Sequence, residues 1–143
     1  MSDTIAVIVA GVLFLVAALH VAWALGMTWP GHDEASLNAY VVGGKPGSAM
    51  PPRMLTVAVA LAVSGIALGA LAARGLVTLP LPAVVRALTW VAAGVLALRG
   101  LGGFFDAQLR PHVRALPYAT WNRRLYSPLC LGLAAGLVIA LTT

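Results

Sequence analysis

The sequence places one ionisable side chain inside each of two apolar segments. His20 lies in ALHVAWALGMTW (18–29), and Arg99 lies near the end of WVAAGVLALRG (90–100). A histidine titrates near neutral pH and serves as a general acid or base, whereas an arginine keeps its charge and binds carboxylates or phosphates. Ionisable groups inside a membrane span usually face the protein interior and mark a polar site. The two residues are therefore the first candidates for chemistry.

The spacing predicts that His20 and Arg99 lie at a similar depth in a membrane. At about 1.5 Å per helical residue, His20 lies about 24 Å from the start of its span at Thr4. Arg99 lies about 22 Å from the start of the third span at Val84. Both spans run in the same direction across the bilayer, so we expect a polar pocket between the two side chains.

Three further residues are predicted at this depth. Trp23 follows His20 by three positions and shares its helix face. Tyr126 and Ser127 open the fourth span, where Ser127 and Pro128 fit an N-cap and a first helical residue. The predicted ligand-binding residues are His20, Trp23, Arg99, Tyr126 and Ser127.

Each of these residues also has a purely structural explanation. His20 can be a neutral histidine hydrogen-bonded between helices, and Arg99 can extend from the helix end to lipid phosphates. Trp23 and Tyr126 can anchor the chain at the membrane interface. The single cysteine, Cys130, fits a small packing residue.

Composition places the chain in a membrane. Of its 143 residues 61% are hydrophobic and 9% are charged, whereas a soluble domain carries about 25% charged residues. Such a chain cannot cover a soluble surface, so most of its exterior must face lipid. The net charge of +5 fits anionic headgroups rather than nucleic acid, because the basic residues lie between apolar segments.

Four apolar segments approach the roughly 20 residues that a helix needs to cross a bilayer. None alternates with a period of two, so helices are predicted rather than strands. We expect an all-α integral membrane four-helix bundle, with an interfacial segment between spans three and four and residues 1–143 as a single transmembrane domain. The predicted spans are about 5–27, 55–73, 83–101 and 128–141, and the predicted cytoplasmic loops are 28–53 and 104–126.

The basic residues predict the orientation of these spans. With four spans, both termini and the middle link share one side, which carries Arg74 and Arg86. Lys and Arg are enriched in cytoplasmic loops, so both termini are predicted to lie outside. The first span lacks a basic leading region and is too long for a secretory signal, so we expect it to be retained. The other, cytoplasmic side carries Lys45, Arg53, Arg99, Arg110, Arg114, Arg123 and Arg124.

Two pairs of glycines predict close helix packing. GIALG contains Gly65 and Gly69, and GLAAG contains Gly132 and Gly136. Helices in lipid associate through small residues, so we expect both pairs to lie between helices and a leucine at Gly65 or Gly132 to destabilise the bundle. The alternative is that one of these faces forms the seam of a homodimer.

No metal or cofactor site is predicted. His32, Asp33 and Glu34 are consecutive residues, which do not converge on a metal without a special turn, and neither HxxxH nor CxxC occurs. No phosphate-binding glycine loop or nucleophile elbow occurs either.

Three motifs together resemble one family. They are HVAW in span one, LRGLGGFF at the end of span three and RRLYSPLCLGL at the start of span four. The chain is similar over nearly its whole length to a small bacterial membrane-protein family filed as domain of unknown function 3995. The family pattern has an acidic residue before the basic pair, where this chain has Asn122. The resemblance implies a bacterial membrane protein without an established activity, and the residues that match the motifs are His20, Trp23, Arg99, Gly103, Tyr126, Ser127 and Pro128.

Three functions stay open at this point. A bundle of the inner membrane can bind, or transport, a small lipophilic or anionic ligand in a cytoplasmic-leaflet pocket, and we rank this first because packing alone does not explain Arg99. It can be an enzyme acting on a lipid, with His20 as general acid or base. It can also be an accessory or structural subunit. The expected partners are membrane lipids, with a homodimer or a larger membrane complex left open.

The predicted orientation can be tested by cysteine labelling of intact cells. In a Cys130→Ala background, Ser2→Cys and Thr143→Cys are expected to react with a membrane-impermeant thiol reagent, because both termini are predicted outside. Ser48→Cys is expected to react only after the cells are opened. Labelling of Ser48→Cys alone in intact cells would reverse the orientation.

Overall fold

Every regular element of this computed structural model, which describes residues 1–143, is a helix. The predicted all-α class is therefore confirmed. Four helical segments are long and apolar enough to cross a membrane. The α-helices are α1 (Ser2–Ala24), α2 (Glu34–Val41), α3 (Arg53–Ala73), α4 (Pro82–Leu109), α5 (Pro117–Trp121) and α6 (Ser127–Thr142). A 3₁₀-helical elbow (Pro111–Ala115) joins α4 to α5, and a π-helical turn (Asn122–Tyr126) makes α5 and α6 one continuous span.

The four spans form a bundle in which α1 packs along α3 and α4 packs along α6. Contacts between α1 and α6 and between α3 and α4 close the bundle, so α1 and α4 lie diagonally opposite each other. Small buried residues such as Ala10, Ala67 and Ala93 lie in the core, beside Leu13 and Leu137. Small residues at these positions allow the close backbone approach on which helix association in lipid depends.

Polar contacts place both termini at one end of the bundle. Arg74 Nε donates to the Asp3 carboxylate over 2.8 Å, which holds the α3–α4 link to the N-terminus. Arg86 donates to the main-chain carbonyl of Leu141, which holds the start of α4 to the C-terminus. The other end of the bundle, which we call the junction end, carries α2, the elbow and the π-helical turn.

The third and fourth spans are longer than the sequence predicts. α4 continues through the glycines of LRGLGGFF to Leu109, and the last span begins at Pro117. The predicted interfacial loop 104–126 is thus only a short elbow between two helices. Ser127 does not cap a helix, because it lies inside the continuous span and its hydroxyl donates to Asn122 Oδ1 over 3.4 Å.

The predicted loop 28–53 contains α2, which begins with a capping box. The Asp33 carboxylate accepts a hydrogen bond from the Ser36 backbone N–H over 2.8 Å, and the Ser36 hydroxyl accepts one from the Asp33 N–H over 3.0 Å. These reciprocal bonds satisfy two helix-end donors. The bond from the Ser36 N–H also lowers the pKa of the Asp33 carboxyl below its usual value.

One glycine of each predicted pair lies at a helix contact. A Cβ at Gly69 would collide with Thr89 of α4, and a Cβ at Gly136 would collide with a valine of α1. Gly65 and Gly132 have open space around the Cβ position. The prediction that these two pack between helices of the bundle is wrong, because both are exposed. Gly69 and Gly136, one turn further along, are the buried glycines that meet a neighbouring helix.

Leucine substitution at the four glycines tests this packing. Gly69→Leu and Gly136→Leu are expected to lower the free energy of unfolding by about 2 kcal/mol, because the added side chain forces two helices apart. The matched controls Gly65→Leu and Gly132→Leu should stay within about 0.5 kcal/mol of the parent. Unfolding followed by circular dichroism in detergent measures all four. Equal losses within each pair would contradict the packing described here.

Candidate functional site

A hydrogen-bonded cluster of polar groups lies where the last turns of α4 meet the α5–α6 span. We call it the polar junction. It consists of Arg99, Gly103 and Asp106 of α4, Arg110 beside the elbow, Tyr118 of α5, Asn122 of the π-helical turn and Ser127 of α6.

Helical spacing brings these residues together. Successive junction residues from Arg99 to Arg110, just after the end of α4, are three or four positions apart, so they share one helix face. Tyr118 and Asn122 are four residues apart, whereas Ser127 follows Asn122 by five. A π-helical turn pairs residues five apart. The extra residue in this turn therefore keeps Ser127 on the same face as Asn122.

The amide of Asn122 is the centre of the junction. Its Nδ2 donates to the main-chain carbonyl of Gly103 over 2.8 Å, and its Oδ1 accepts from Arg99 Nη2 over 2.9 Å and from the Ser127 hydroxyl. Asn122 is 2% exposed and Ser127 is fully buried. A Cβ at Gly103 would collide with Ser127 and Arg99, so only glycine allows this approach. Losing one partner of a buried amide costs about 1–3 kcal/mol.

The hydroxyl of Tyr118 connects the remaining charged groups. It accepts from Arg99 Nη2 over 3.1 Å and from Arg110 Nη2 over 3.2 Å, and it donates to Asp106 Oδ2 over 2.8 Å. Arg110 also forms a bidentate ion pair with Asp106, with Nε 2.6 Å from Oδ1. The hydrogen bond to Asp106 raises the pKa of Arg110 above its usual value. These bonds fix the elbow to the end of α4.

The junction holds one positive charge in excess, on Arg99. Asp106 is paired with Arg110, while both hydrogen bonds of Arg99 leave from Nη2 and reach neutral groups. A guanidinium has five N–H donors, so the donors on Nε and Nη1 of Arg99 have no hydrogen-bond partner within the chain. Arg99 is also exposed on the bundle surface. This side chain is therefore anchored at Nη2, and its other two nitrogens keep unused donors.

His20 and Trp23 form a separate pair on α1. His20 Nδ1 lies 2.8 Å from the Val16 carbonyl, and the His20 ring packs edge-on against Trp23 with 5.0 Å between centroids. Trp23 Nε1 donates to the Trp29 carbonyl over 2.8 Å. No hydrogen bond or ring contact joins His20 to Arg99, because α1 and α4 lie diagonally opposite. Similar depth thus does not bring the two ionisable residues into contact.

The other two residues of the predicted site lie at or beside the junction. Ser127 shares the Asn122 amide with Arg99. The Tyr126 hydroxyl donates to the Tyr40 carbonyl over 3.2 Å, and its ring lies 6.3 Å from that of Tyr118. The structure therefore divides the five predicted residues into a junction group and the His20–Trp23 pair.

Sequence reasoning did not assign Asp106, Arg110, Tyr118 or Asn122 to the site. Polar and small residues recur every three or four positions through LRGLGGFFDAQLR, and this spacing indicates one continuous helix face that includes Asp106 and Arg110. The predicted third span ends at about residue 101, so the residues after it were not placed on this face.

Four span-like helices with a polar junction at one end define the structural class, a four-helix bundle of membrane-protein composition. The family described as Protein of unknown function (DUF3995) matches residues 13–137. The match covers most of the chain and the whole junction, so the protein belongs to this family. No curated protein and no solved structure matches the chain.

Proposed function

We propose that the protein binds the anionic group of a membrane lipid, or of a small lipophilic ligand, at Arg99. The observation that supports this is a permanent charge with only neutral hydrogen-bond partners, inside the long apolar helix α4. A charged side chain in such a segment is costly unless it is paired. A phosphate or carboxylate at the free donors would supply the missing pair through charge-assisted hydrogen bonds.

The junction holds the arginine ready for such a ligand. Tyr118 and Asn122 fix Nη2 from two directions, so little side-chain freedom remains to be lost on binding. The neutrality of Asn122 matters here. A carboxylate at this position would form an ion pair with Arg99 and compete with an external anion.

We further propose that the junction end faces the cytoplasm of a bacterial cell and that both termini lie outside the inner membrane. Six basic residues at the junction end support this, since only Arg74 and Arg86 lie at the opposite end. Lys and Arg are enriched on the cytoplasmic side of membrane proteins. The six residues are Lys45, Arg53, Arg110, Arg114, Arg123 and Arg124.

One observation favours a second function, that of an accessory or structural subunit. Every buried polar side-chain atom has a hydrogen-bond partner inside the chain. The buried part of the junction is therefore fully hydrogen-bonded without a ligand. In this second function Arg99 serves only to connect Tyr118 and Asn122.

Removing the excess charge in two different ways tests anion binding. Arg99→Gln deletes the charge, whereas Asn122→Asp keeps a hydrogen-bond acceptor and pairs the charge internally. Both variants are expected to bind phosphatidylglycerol about tenfold more weakly than the parent, since a hydrogen bond to a charged group contributes about 1.5–3 kcal/mol. Native mass spectrometry of the detergent-purified protein measures co-purified and added lipid.

Two controls separate the site from general electrostatics. Arg123→Gln removes the same charge from an exposed side chain at the same end, and His20→Gln alters the ionisable residue that does not contact Arg99. Both controls should bind like the parent. If folded Arg99→Gln retains the lipid, or if Arg123→Gln loses it equally, the anion site is wrong. The structural function then takes its place.

A further inference from the structure

A cleft at the junction end lies apart from Arg99, between the end of α1, the start of α2 and the start of α3. Its volume is about 180 Å³, well below the roughly 300–1,000 Å³ of pockets for drug-sized ligands. Its walls combine apolar and charged side chains. Those that matter here are Trp23, Met27, Glu34, Arg53 and Thr56.

We propose that this cleft binds a zwitterionic headgroup that carries a primary ammonium beside a phosphate or carboxylate. Glu34 and Arg53 line it with opposite charges. Neither side chain takes part in a hydrogen bond or an ion pair within the chain. The salt bridges of the chain are Asp3–Arg74 and Asp106–Arg110, with a long contact between His32 and Asp33. Two unpaired charges of opposite sign match a ligand that bears both.

The anionic half of the ligand is assigned to Arg53. This residue is the first of α3, and Pro52 before it has no N–H. The backbone N–H groups of Arg53 and Met54 have no acceptor within the helix, whereas that of Leu55 already donates to the Pro52 carbonyl over 2.9 Å. The two free groups carry the positive end of the helix dipole. The Arg53 side chain and these amides together give an anion several donors at one edge of the cleft.

The ammonium half is assigned to Glu34 and Trp23. A carboxylate pairs with an ammonium, and an indole face attracts a cation more strongly than other aromatic rings do. The Trp23 ring is already fixed, since its Nε1 donates to the Trp29 carbonyl and His20 packs against it. The His20–Trp23 pair thereby acquires a role as the rigid wall of this cleft.

The depth of the cleft suits a lipid headgroup. Trp29, beside it, is 63% exposed, and tryptophan is enriched at the membrane–water interface. An aminophospholipid would place its phosphate and ammonium at this level, and a soluble phosphoethanolamine presents the same two groups. The site shares no residue with the Arg99 site, so either one can fail without the other.

Lipid binding to the detergent-purified full chain tests the proposal. The Arg99→Gln variant, which lacks the first anion site, serves as the parent in this experiment. Native mass spectrometry should show that phosphatidylethanolamine binds this parent more tightly than phosphatidylglycerol or phosphatidylcholine, which lack a primary ammonium. Glu34→Gln is expected to abolish this preference, while Arg53→Gln weakens phosphatidylethanolamine about tenfold. Arg124→Gln, an exposed arginine outside the cleft, is the matched control and should behave like the parent.

Competition by soluble O-phosphoethanolamine identifies the source of the headgroup. Displacement of the lipid shows that the headgroup alone suffices for binding. Failure to displace it shows that the acyl chains contribute. Both outcomes agree with headgroup binding in the cleft, provided that the preference for phosphatidylethanolamine depends on Glu34. The proposal is wrong if the parent does not prefer phosphatidylethanolamine, or if folded Glu34→Gln keeps the preference. It is also wrong if Arg124→Gln weakens binding as much as Arg53→Gln does. Should Arg53→Gln fail to fold, the Glu34→Gln result decides.

Discussion

The buried amide of Asn122 joins two spans where water cannot replace its hydrogen bonds. Its donor reaches the backbone of α4, and its acceptor holds Arg99 and Ser127. The local features of the junction follow from these contacts. Gly103 must lack a side chain for the amide to approach, and the π-helical turn must supply the additional residue that turns Ser127 towards it. Asn122 thus fixes how the end of α4 lies against the last span.

The same amide determines the electrostatics of the junction. Because it is neutral, it orients the Arg99 guanidinium without cancelling its charge, and the one nearby carboxylate is already paired with Arg110. The Asn122 side chain therefore both joins α4 to the last span and orients Arg99 for the proposed anion site. The opposite charges of Glu34 and Arg53 occupy a separate cleft. The junction end accordingly presents two polar sites of different charge character.

Composition and segment length were enough to predict the helical class, the four spans and a shared end for both termini. The Arg74–Asp3 and Arg86–Leu141 contacts confirm that shared end. Helix rotation could not be predicted in this way. A span that is apolar on every side carries no periodic signal for its inner face. Similar depth therefore suggested a contact between His20 and Arg99, but α1 and α4 lie diagonally opposite and the two residues do not meet. Gly65 and Gly132 were misplaced for the same reason.

A double-mutant cycle between Arg99→Met and Tyr118→Phe tests the junction most directly. Each single change removes the hydrogen bond between the guanidinium and the hydroxyl, and unfolding in detergent gives the three free-energy differences. If this hydrogen bond holds α4 against α5, the double variant should lose less free energy of unfolding than the sum of the two single losses, by about 0.5–3 kcal/mol. Additive losses, within about 0.5 kcal/mol, would contradict the account.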